Sequence, residues 1–168
     1  MEAVELKKLQ APIKTKYRED PESAVVTLKA EGKIGENVTC SVETGRSLIE
    51  AGLHPASGGP GIHACSGDML LEALVACAGV TLNAVATALE LDIQDARVIA
   101  EGDLDFRGTL GVEKTAPVGF RDIRLNFVID GDLTKEQLAT LLKLTERYCV
   151  VYQTLVSAPQ MAVKTNSV

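Results

Sequence analysis

The longest apolar stretch of the chain predicts a central helix over residues 66–91. This segment, SGDMLLEALVACAGVTLNAVATALEL, is apolar on nearly every face, which is typical of a helix buried on all sides. Ser66 suits the N-cap position, and Asp68 in the first turn complements the helix dipole. Glu72 near one end and the lack of flanking basic anchors argue against the alternative, a membrane-spanning helix.

Two strand-like patterns precede this helix. Residues 24–30, AVVTLKA, are rich in β-branched positions, and residues 37–42, NVTCSV, alternate polar and apolar side chains. Because Gly32 to Gly35 separate the two runs, we predict a two-stranded ribbon. The Gly- and Pro-rich residues 51–64 then predict a loop before the helix.

The first part of the chain carries a different pattern. Residues 2–10 predict a short charged helix that Pro12 would end. Residues 13–21 predict an irregular charged segment, closed by Pro21. We therefore divide the chain into an N-terminal extension, residues 1–22, and one domain, residues 23–168.

Strands and a second helix are expected after the central helix. Residues 92–107 and 117–130 both show strand alternation, and residues 108–116 link them as a long hairpin. The second strand presents one apolar face, formed by Ile123, Leu125, Phe127 and Ile129.

A complete helix start follows, in which Thr134 and Gln137 form a capping box. That helix should run to about Tyr148, and residues 155–165 should add a last short helix or strand. The order of elements predicts an α+β domain with antiparallel sheets around the long buried central helix.

Composition and charge narrow the class of partner. The formal net charge is −6 at pH 7, whereas binding of a phosphate backbone requires a basic surface. Aromatic residues make up 4% of the chain and Trp is absent, which disfavours stacking on bases. We therefore expect no nucleic-acid partner, and we expect no membrane partner either.

The four cysteines are best interpreted as thiols. The first ten residues lack the apolar segment of a signal peptide, so we expect a cytoplasmic protein in a reducing compartment. No CxxC pair is present among Cys40, Cys65, Cys77 and Cys149, which argues against a structural zinc site. Cys40 fits a small apolar position in a strand.

Cys77 lies in the middle of the predicted helix, on a face of small and apolar residues. A thiol there has a raised pKa unless a cation or hydrogen-bond donor lies nearby. Cys77 is therefore either a core residue or a nucleophile that groups outside this helix activate. Cys149 follows a helix end, where we expect partial exposure, and Arg147 is a candidate to favour its thiolate; its alternative is a structural cysteine.

Other chemistry has weaker support. His54, His63 and Cys65 lie close together in the sequence, but their spacing matches no familiar set of metal ligands. We therefore expect no metal and no cofactor, with a metal-dependent hydrolase as a minor alternative. Phosphate-binding glycine motifs and the GxSxG motif of serine hydrolases are absent from the sequence, which leaves thiol redox chemistry on the enzyme side.

Two motifs together resemble the OsmC/Ohr family. Residues 65–77, CSGDMLLEALVAC, are similar to its central-helix motif, in which an acidic residue and a Leu-rich helix precede a cysteine. Residues 146–154, ERYCVVYQT, are similar to its second-cysteine motif, and the resemblance covers roughly residues 23–166.

This resemblance implies a peroxidase that reduces organic hydroperoxides. Cys77 would be the peroxidatic thiol that becomes a sulfenic acid, and Cys149 the resolving thiol that forms a disulfide with it. An external dithiol would reduce that disulfide. The family also implies an intertwined homodimer. The alternative is a non-catalytic protein of the same fold that binds a small apolar or thiol-reactive ligand near Cys77.

The resemblance also implies an acidic residue and an arginine at the site. Asp68 occupies the position where the family usually has Glu, and it would orient an arginine that stabilises the thiolate. The family's glycine-flanked arginine motif is absent here, and Arg18 and Arg46 are the candidates, with Arg18 preferred because it precedes the first strand. The alternative for Arg18 is a solvated surface charge.

Overall fold

The computed structural model describes residues 2–19, 31–34, 39–43, 48–111 and 113–165. Its first element, helix α1, spans Ala3–Glu19 and contains Pro12. The predictions that Pro12 ends a helix and that residues 13–19 are irregular are therefore wrong. Proline removes one backbone hydrogen bond from a helix, but the turns on either side keep their own.

A three-stranded antiparallel sheet follows, made of β1 (Glu31–Ile34), β2 (Thr39–Glu43) and β3 (Leu48–Gly52), in that order. Strand β2 matches the predicted alternating run. Its partner β1 lies where we predicted the turn, which is therefore wrong: Gly32 pairs with Val42, and β1 is an outer strand of the sheet as far as the described residues form it.

Two further predictions concern the same sheet. The predicted strand over residues 24–30 lies outside the described residues. The predicted loop over residues 51–64 begins two residues too early, because Ala51 and Gly52 end β3 and pair with β2. The remainder is loop apart from one turn of 3-10 helix at Pro55–Ser57 and an isolated parallel bridge between Ala64 and Ala51.

Helix α2 spans Ser66–Ala88, and α1 as well as strands and helices that follow it in the chain pack on it. Cys65 is its N-cap and caps it without a side-chain hydrogen bond, so the prediction of Ser66 at that position is off by one residue. Its length and apolarity would also suit a membrane span, but this is weak evidence because core helices meet the same criteria.

One side of α2 is buried and the opposite side is not. The buried stripe has a spacing of four residues and consists of Leu74, Ala78, Leu82 and Ala86. Val80 on the other side is 73% exposed. The prediction of burial on every face is therefore wrong for the single chain, because the strands and helices that follow α2 cover only one side of it.

That cover consists of a ribbon and two helices. Strands β4 (Asp95–Leu104) and β5 (Phe120–Asp130) pair antiparallel, and the short helix α3 (Phe106–Thr109) lies in their connection. The predicted apolar face of β5 is confirmed, because Ile123, Leu125, Phe127 and Ile129 all turn towards the core.

Helices α4 (Lys135–Tyr148) and α5 (Val150–Val156) complete the fold. The capping box of Thr134 and Gln137 is confirmed. The predicted last element over residues 155–165 is wrong, because α5 ends at Val156 and residues 157–165 form neither helix nor strand. Antiparallel sheets combined with a long central helix confirm the α+β fold class.

Candidate active site

The two cysteines singled out by the sequence lie in contact. Cys149 belongs to the buried cluster of Leu74 and Ala78, and Cys77 packs against that cluster. The thiol of Cys149 also hydrogen-bonds to Cys77, and both residues are free cysteines. Cys149 is 1% exposed, so the prediction of partial exposure is wrong: α2 covers the helix end at which Cys149 lies.

The position of Cys149 between two helices determines its surroundings. Its backbone is extended, with φ −72° and ψ 107°, so α4 ends and α5 begins at this single residue. The first N–H groups of a helix have no partner within it. The amides of Val150 and Val151 at the start of α5 are therefore available to the sulfur of Cys77, and both contribute to lowering its pKa.

These neutral donors decide the ionisation of Cys77. Burial opposes loss of the proton, but the amide of Val151, the thiol of Cys149, the amide of Val150 and the hydroxyl of Thr81 outweigh it and hold the pKa of Cys77 below its ordinary value. The sequence predicted that a helix thiol needs donors from outside its helix. Val150, Val151 and Cys149 are such donors.

The pKa of Cys149 shifts in the opposite direction to that of Cys77. Burial raises its pKa, and together with the hydrogen bond to Cys77 and the negative charge of that neighbour it outweighs the lowering by the amides of Tyr152 and Val151. Arg147, which we expected to favour the Cys149 thiolate, is not among the groups that shift the pKa of Cys149. Its guanidinium lies over the Tyr148 ring, 5.7 Å from the ring centroid. Cys149 therefore holds its proton more strongly than Cys77 does.

Thr81 is a site residue that the sequence did not reveal as one. It follows Cys77 by one helical turn, and its Oγ1 donates to the carbonyl oxygen of Cys77 at 2.7 Å. The spacing of four residues is the signal that would have identified it. The amides of Val150 and Val151 were missed because no capping residue or other local pattern indicates that a helix begins there.

A cavity of about 450 Å³ adjoins the thiol cluster. Its inner wall shares residues with that cluster and is apolar, and it consists of Leu74, Ile123, Leu125, Phe127, Tyr152 and Leu155. Charged side chains, those of Arg121, Asp122 and Glu146, lie on its exposed side. The arrangement suits a ligand with an apolar body.

A larger cavity, about 940 Å³, lies at the other end of α2. The start of α1, the C-terminal part of α2 and the start of β4 line it, and several of its residues are carboxylates. Neither Cys77 nor Cys149 belongs to its lining. Neither thiol lines the smaller cavity either, but six residues of its wall pack in the cluster around Cys77 and Cys149, whereas among the described residues the larger cavity shares only Val98 with that cluster.

The other predicted site residues are not brought to the thiols by the described parts of the chain. Asp68 lies in the exposed first turn of α2, nine residues before Cys77. Arg18 lies in α1, but its side chain is outside the described residues, as is the whole of Arg46. The roles of Asp68 and Arg18 stay predictions.

The histidines of the loop before α2 have local partners. His54 stacks on Phe106 with ring centroids 4.9 Å apart, and it accepts a hydrogen bond from the amide of Ala56. His63 lies 3.8 Å from the carboxylate of Glu50. Within the described ranges, no three His, Cys, Asp or Glu side chains are grouped so that they would hold a metal ion.

Comparison with known proteins places this geometry in a family. The sequence matches the OsmC-like protein family over residues 59–164, well over half of the chain and including both thiols. Comparison with curated proteins gives no match.

Solved structures agree on the fold. An OsmC-like protein from Mycoplasma pneumoniae has a TM-score of 0.66 at 18% identity, covering 79% of this chain and 89% of that one. An organic hydroperoxide resistance protein from Elizabethkingia anophelis has a TM-score of 0.63 at 19% identity, with coverage of 80% and 91%. One from Legionella pneumophila gives 0.62 at 18%, with coverage of 79% and 91%. This chain belongs to the OsmC-like protein family.

Proposed function

We propose that this protein is a thiol-dependent peroxidase that reduces organic hydroperoxides, with Cys77 as the attacking thiol and Cys149 as the resolving thiol. The observation that carries the proposal is the contact between a thiol of lowered pKa and a buried thiol of raised pKa. A peroxidatic cysteine must attack as thiolate, whereas its resolving partner arrives as thiol.

The reaction proceeds in three steps. The Cys77 thiolate attacks the terminal oxygen of the hydroperoxide, the O–O bond breaks, and the leaving alkoxide takes up a proton to give the alcohol. The Cys77 sulfenic acid then condenses with the Cys149 thiol, forming a disulfide and releasing water. An external dithiol reduces this disulfide and is itself oxidised to a disulfide.

Two observations support an organic hydroperoxide as the substrate. The cavity next to the thiol cluster has an apolar inner wall, which would bind an alkyl or aryl group against the residues that pack around Cys77 and Cys149. Two of the solved relatives are organic hydroperoxide resistance proteins. The proposal extends that role to this chain.

The proposal includes a homodimer in the cytoplasm. The uncovered side of α2, with Val80 and Leu70 exposed, supports a second subunit packed against it. Arg18 would reach the site within that dimer and stabilise the thiolate, and Asp68 would orient Arg18. Replacement of Arg18 by Ala tests this part on its own.

The competing hypothesis is a non-catalytic protein that binds an apolar ligand near Cys77. The apolar wall of the cavity fits that function equally well. The pairing of the two thiols favours the peroxidase, because ligand binding does not require Cys149 in contact with Cys77.

Consumption of cumene hydroperoxide in the presence of dithiothreitol separates the two. We expect turnover by the wild-type protein, loss of turnover in Cys77→Ser, and slow or single turnover in Cys149→Ser. Cys65→Ser is the matched control, since Cys65 is a free cysteine at the start of the same helix, and it should behave as wild type. Equal rates for wild type and Cys77→Ser would contradict the proposal.

A further inference from the structure

Thr81 is the hydrogen-bonding side chain of α2 that lies next to Cys77 on the same helix. In the structure its hydroxyl donates to the Cys77 carbonyl oxygen at 2.7 Å. Side chains of an α-helix lean towards its N-terminus, so the Thr81 side chain reaches back over the turn that carries the Cys77 sulfur. Residues four apart are neighbours on a helix surface, and the Thr81 hydroxyl is among the groups that lower the pKa of Cys77, so its one proton has two candidate acceptors, a carbonyl oxygen and a sulfur.

We propose that Thr81 is a positioning residue for the Cys77 thiolate, its hydroxyl donating to the carbonyl oxygen while the thiol is protonated and turning to the sulfur when the thiol ionises. The hydroxyl keeps its own proton throughout, and the thiol proton leaves to solvent. A hydrogen bond to an anion is roughly twice as strong as one between neutral groups, so ionisation reverses the preference of the hydroxyl.

The rotation leaves no backbone group unsatisfied. The Cys77 carbonyl also accepts the regular helical hydrogen bond from the Thr81 amide, as every interior carbonyl of α2 does with the amide four residues later. Losing the hydroxyl therefore costs this oxygen only its second bond. The same hydroxyl is among the groups that lower the pKa of Cys77.

Among the residues that the structure describes, few other titratable groups share this environment. Cys149, from the junction of α4 and α5, and Tyr152 of α5 belong to the cluster around Cys77. The charged Arg121, Asp122 and Glu146 line the exposed side of the adjoining cavity. Strands β4 and β5 contribute apolar side chains, namely Val98, Ala100, Ile123, Leu125 and Phe127.

The helix supplies its own matched control. Thr87 makes the same bond, from its hydroxyl to the carbonyl oxygen of Asn83 at 2.8 Å, four residues earlier in the same helix. No sulfur lies one turn before Thr87, because Asn83 occupies that position. A change caused by losing a helix hydroxyl would follow both replacements, whereas a change at the thiol would follow Thr81 alone.

The test measures iodoacetamide alkylation of Cys77 in the reduced full-length protein as a function of pH. Cleavage after Glu72 separates the Cys77 peptide from Cys65, so mass spectrometry follows each thiol individually. The variants are Thr81→Val, which replaces the hydroxyl with a methyl group of similar size, Thr81→Ser, which keeps the hydroxyl, and Thr87→Val.

We expect Thr81→Val to slow alkylation about three- to tenfold at pH values below the midpoint of the profile, since less of the thiol is ionised. Above the midpoint the rate should equal or exceed that of wild type, because a thiolate of higher pKa is the better nucleophile. The profiles of Thr81→Ser and Thr87→Val should match wild type. Thr81→Ala should repeat the result if Thr81→Val does not show the wild-type circular dichroism spectrum.

A uniform change in rate at every pH, an unchanged profile, or the same shift in Thr87→Val would overturn the proposal. Its importance for catalysis rests on the proposed peroxidase function, but the alkylation needs no hydroperoxide. A shifted profile in a protein that consumes no hydroperoxide refutes the peroxidase alone. Consumption of hydroperoxide with an unshifted Thr81→Val profile refutes the role of Thr81 alone.

Discussion

Two buried clusters lie along the same side of α2 and differ in what surrounds them. The first consists of Leu74, Ala78 and Cys149, and Cys77 packs against it. The second lies further along the helix and is apolar throughout, with Leu82, Ala86 and Leu141 at its centre. Both use one large and one small residue of α2, so the difference comes from what packs on the helix.

The difference lies in the continuity of the opposing backbone. Leu141 belongs to the interior of α4, where the amides and carbonyls bond to each other. Cys149 interrupts the helical path between α4 and α5, and the interruption frees the amides of Val150 and Val151 for Cys77. A break between two helices thus supplies polarity to a core without any charged side chain.

Matched truncation of the two clusters should separate packing from chemistry. Leu74 is 1% exposed and Leu141 is 0% exposed, so Leu74→Ala and Leu141→Ala should each lower the free energy of unfolding by about 2–5 kcal/mol in urea titrations. Only Leu74→Ala should also change the pH profile of Cys77 alkylation, because Leu74 packs on Cys149. A changed profile in Leu141→Ala would remove the distinction between the clusters.

The pH dependence of the first chemical step should follow Cys77. Thiolate is the reactive form, so the rate of oxidation by hydroperoxide should fall about tenfold per pH unit below the Cys77 pKa and level off above it. Since that pKa is lowered, the midpoint should lie below that of an unstructured cysteine peptide. Stopped-flow single-turnover measurements test this, and a midpoint at or above the peptide's would contradict the role assigned to the amides.

The uncovered side of α2 provides a third comparison, because neither cluster lies there. Val80→Asp should change the stability of the isolated chain by less than about 0.5 kcal/mol, as for other surface substitutions, but weaken a homodimer about tenfold or more. Sedimentation equilibrium measures the association. Val118→Asp is the control, since Val118 is 66% exposed in the connection before β5. Equal association of the two variants would argue against a dimer through α2.

The sequence predicted the fold where the pattern was long or the local chemistry specific. The apolar run gave α2, the alternation gave β4 and β5, and Thr134 with Gln137 marked the start of α4. The predicted first helix is shorter than α1, because a proline such as Pro12 indicates a helix end in a local pattern. In the structure the turns on both sides of Pro12 continue the helix. Strand β1 contains a glycine pattern typical of turns, and only its pairing with β2 makes it a strand.

The site was predictable only in part. Family motifs identified Cys77 and Cys149, and the structure brings them into contact. The prediction that Cys149 is partly exposed is wrong, because its burial depends on Leu74 and Ala78, which lie more than seventy positions earlier in the chain. The backbone amides that lower the Cys77 pKa have no sequence signature, since every residue except proline carries an amide.

The most direct test of the account is whether hydroperoxide joins Cys77 to Cys149. The reduced protein is treated with one equivalent of cumene hydroperoxide and alkylated under denaturing and non-reducing conditions. Its intact mass is then measured by mass spectrometry. We predict the loss of two hydrogens and of two alkylation sites in the wild-type protein and in Cys65→Ser, and no such change in Cys77→Ser or Cys149→Ser. Fully alkylated Cys77 and Cys149 in wild-type protein after excess hydroperoxide would contradict the account.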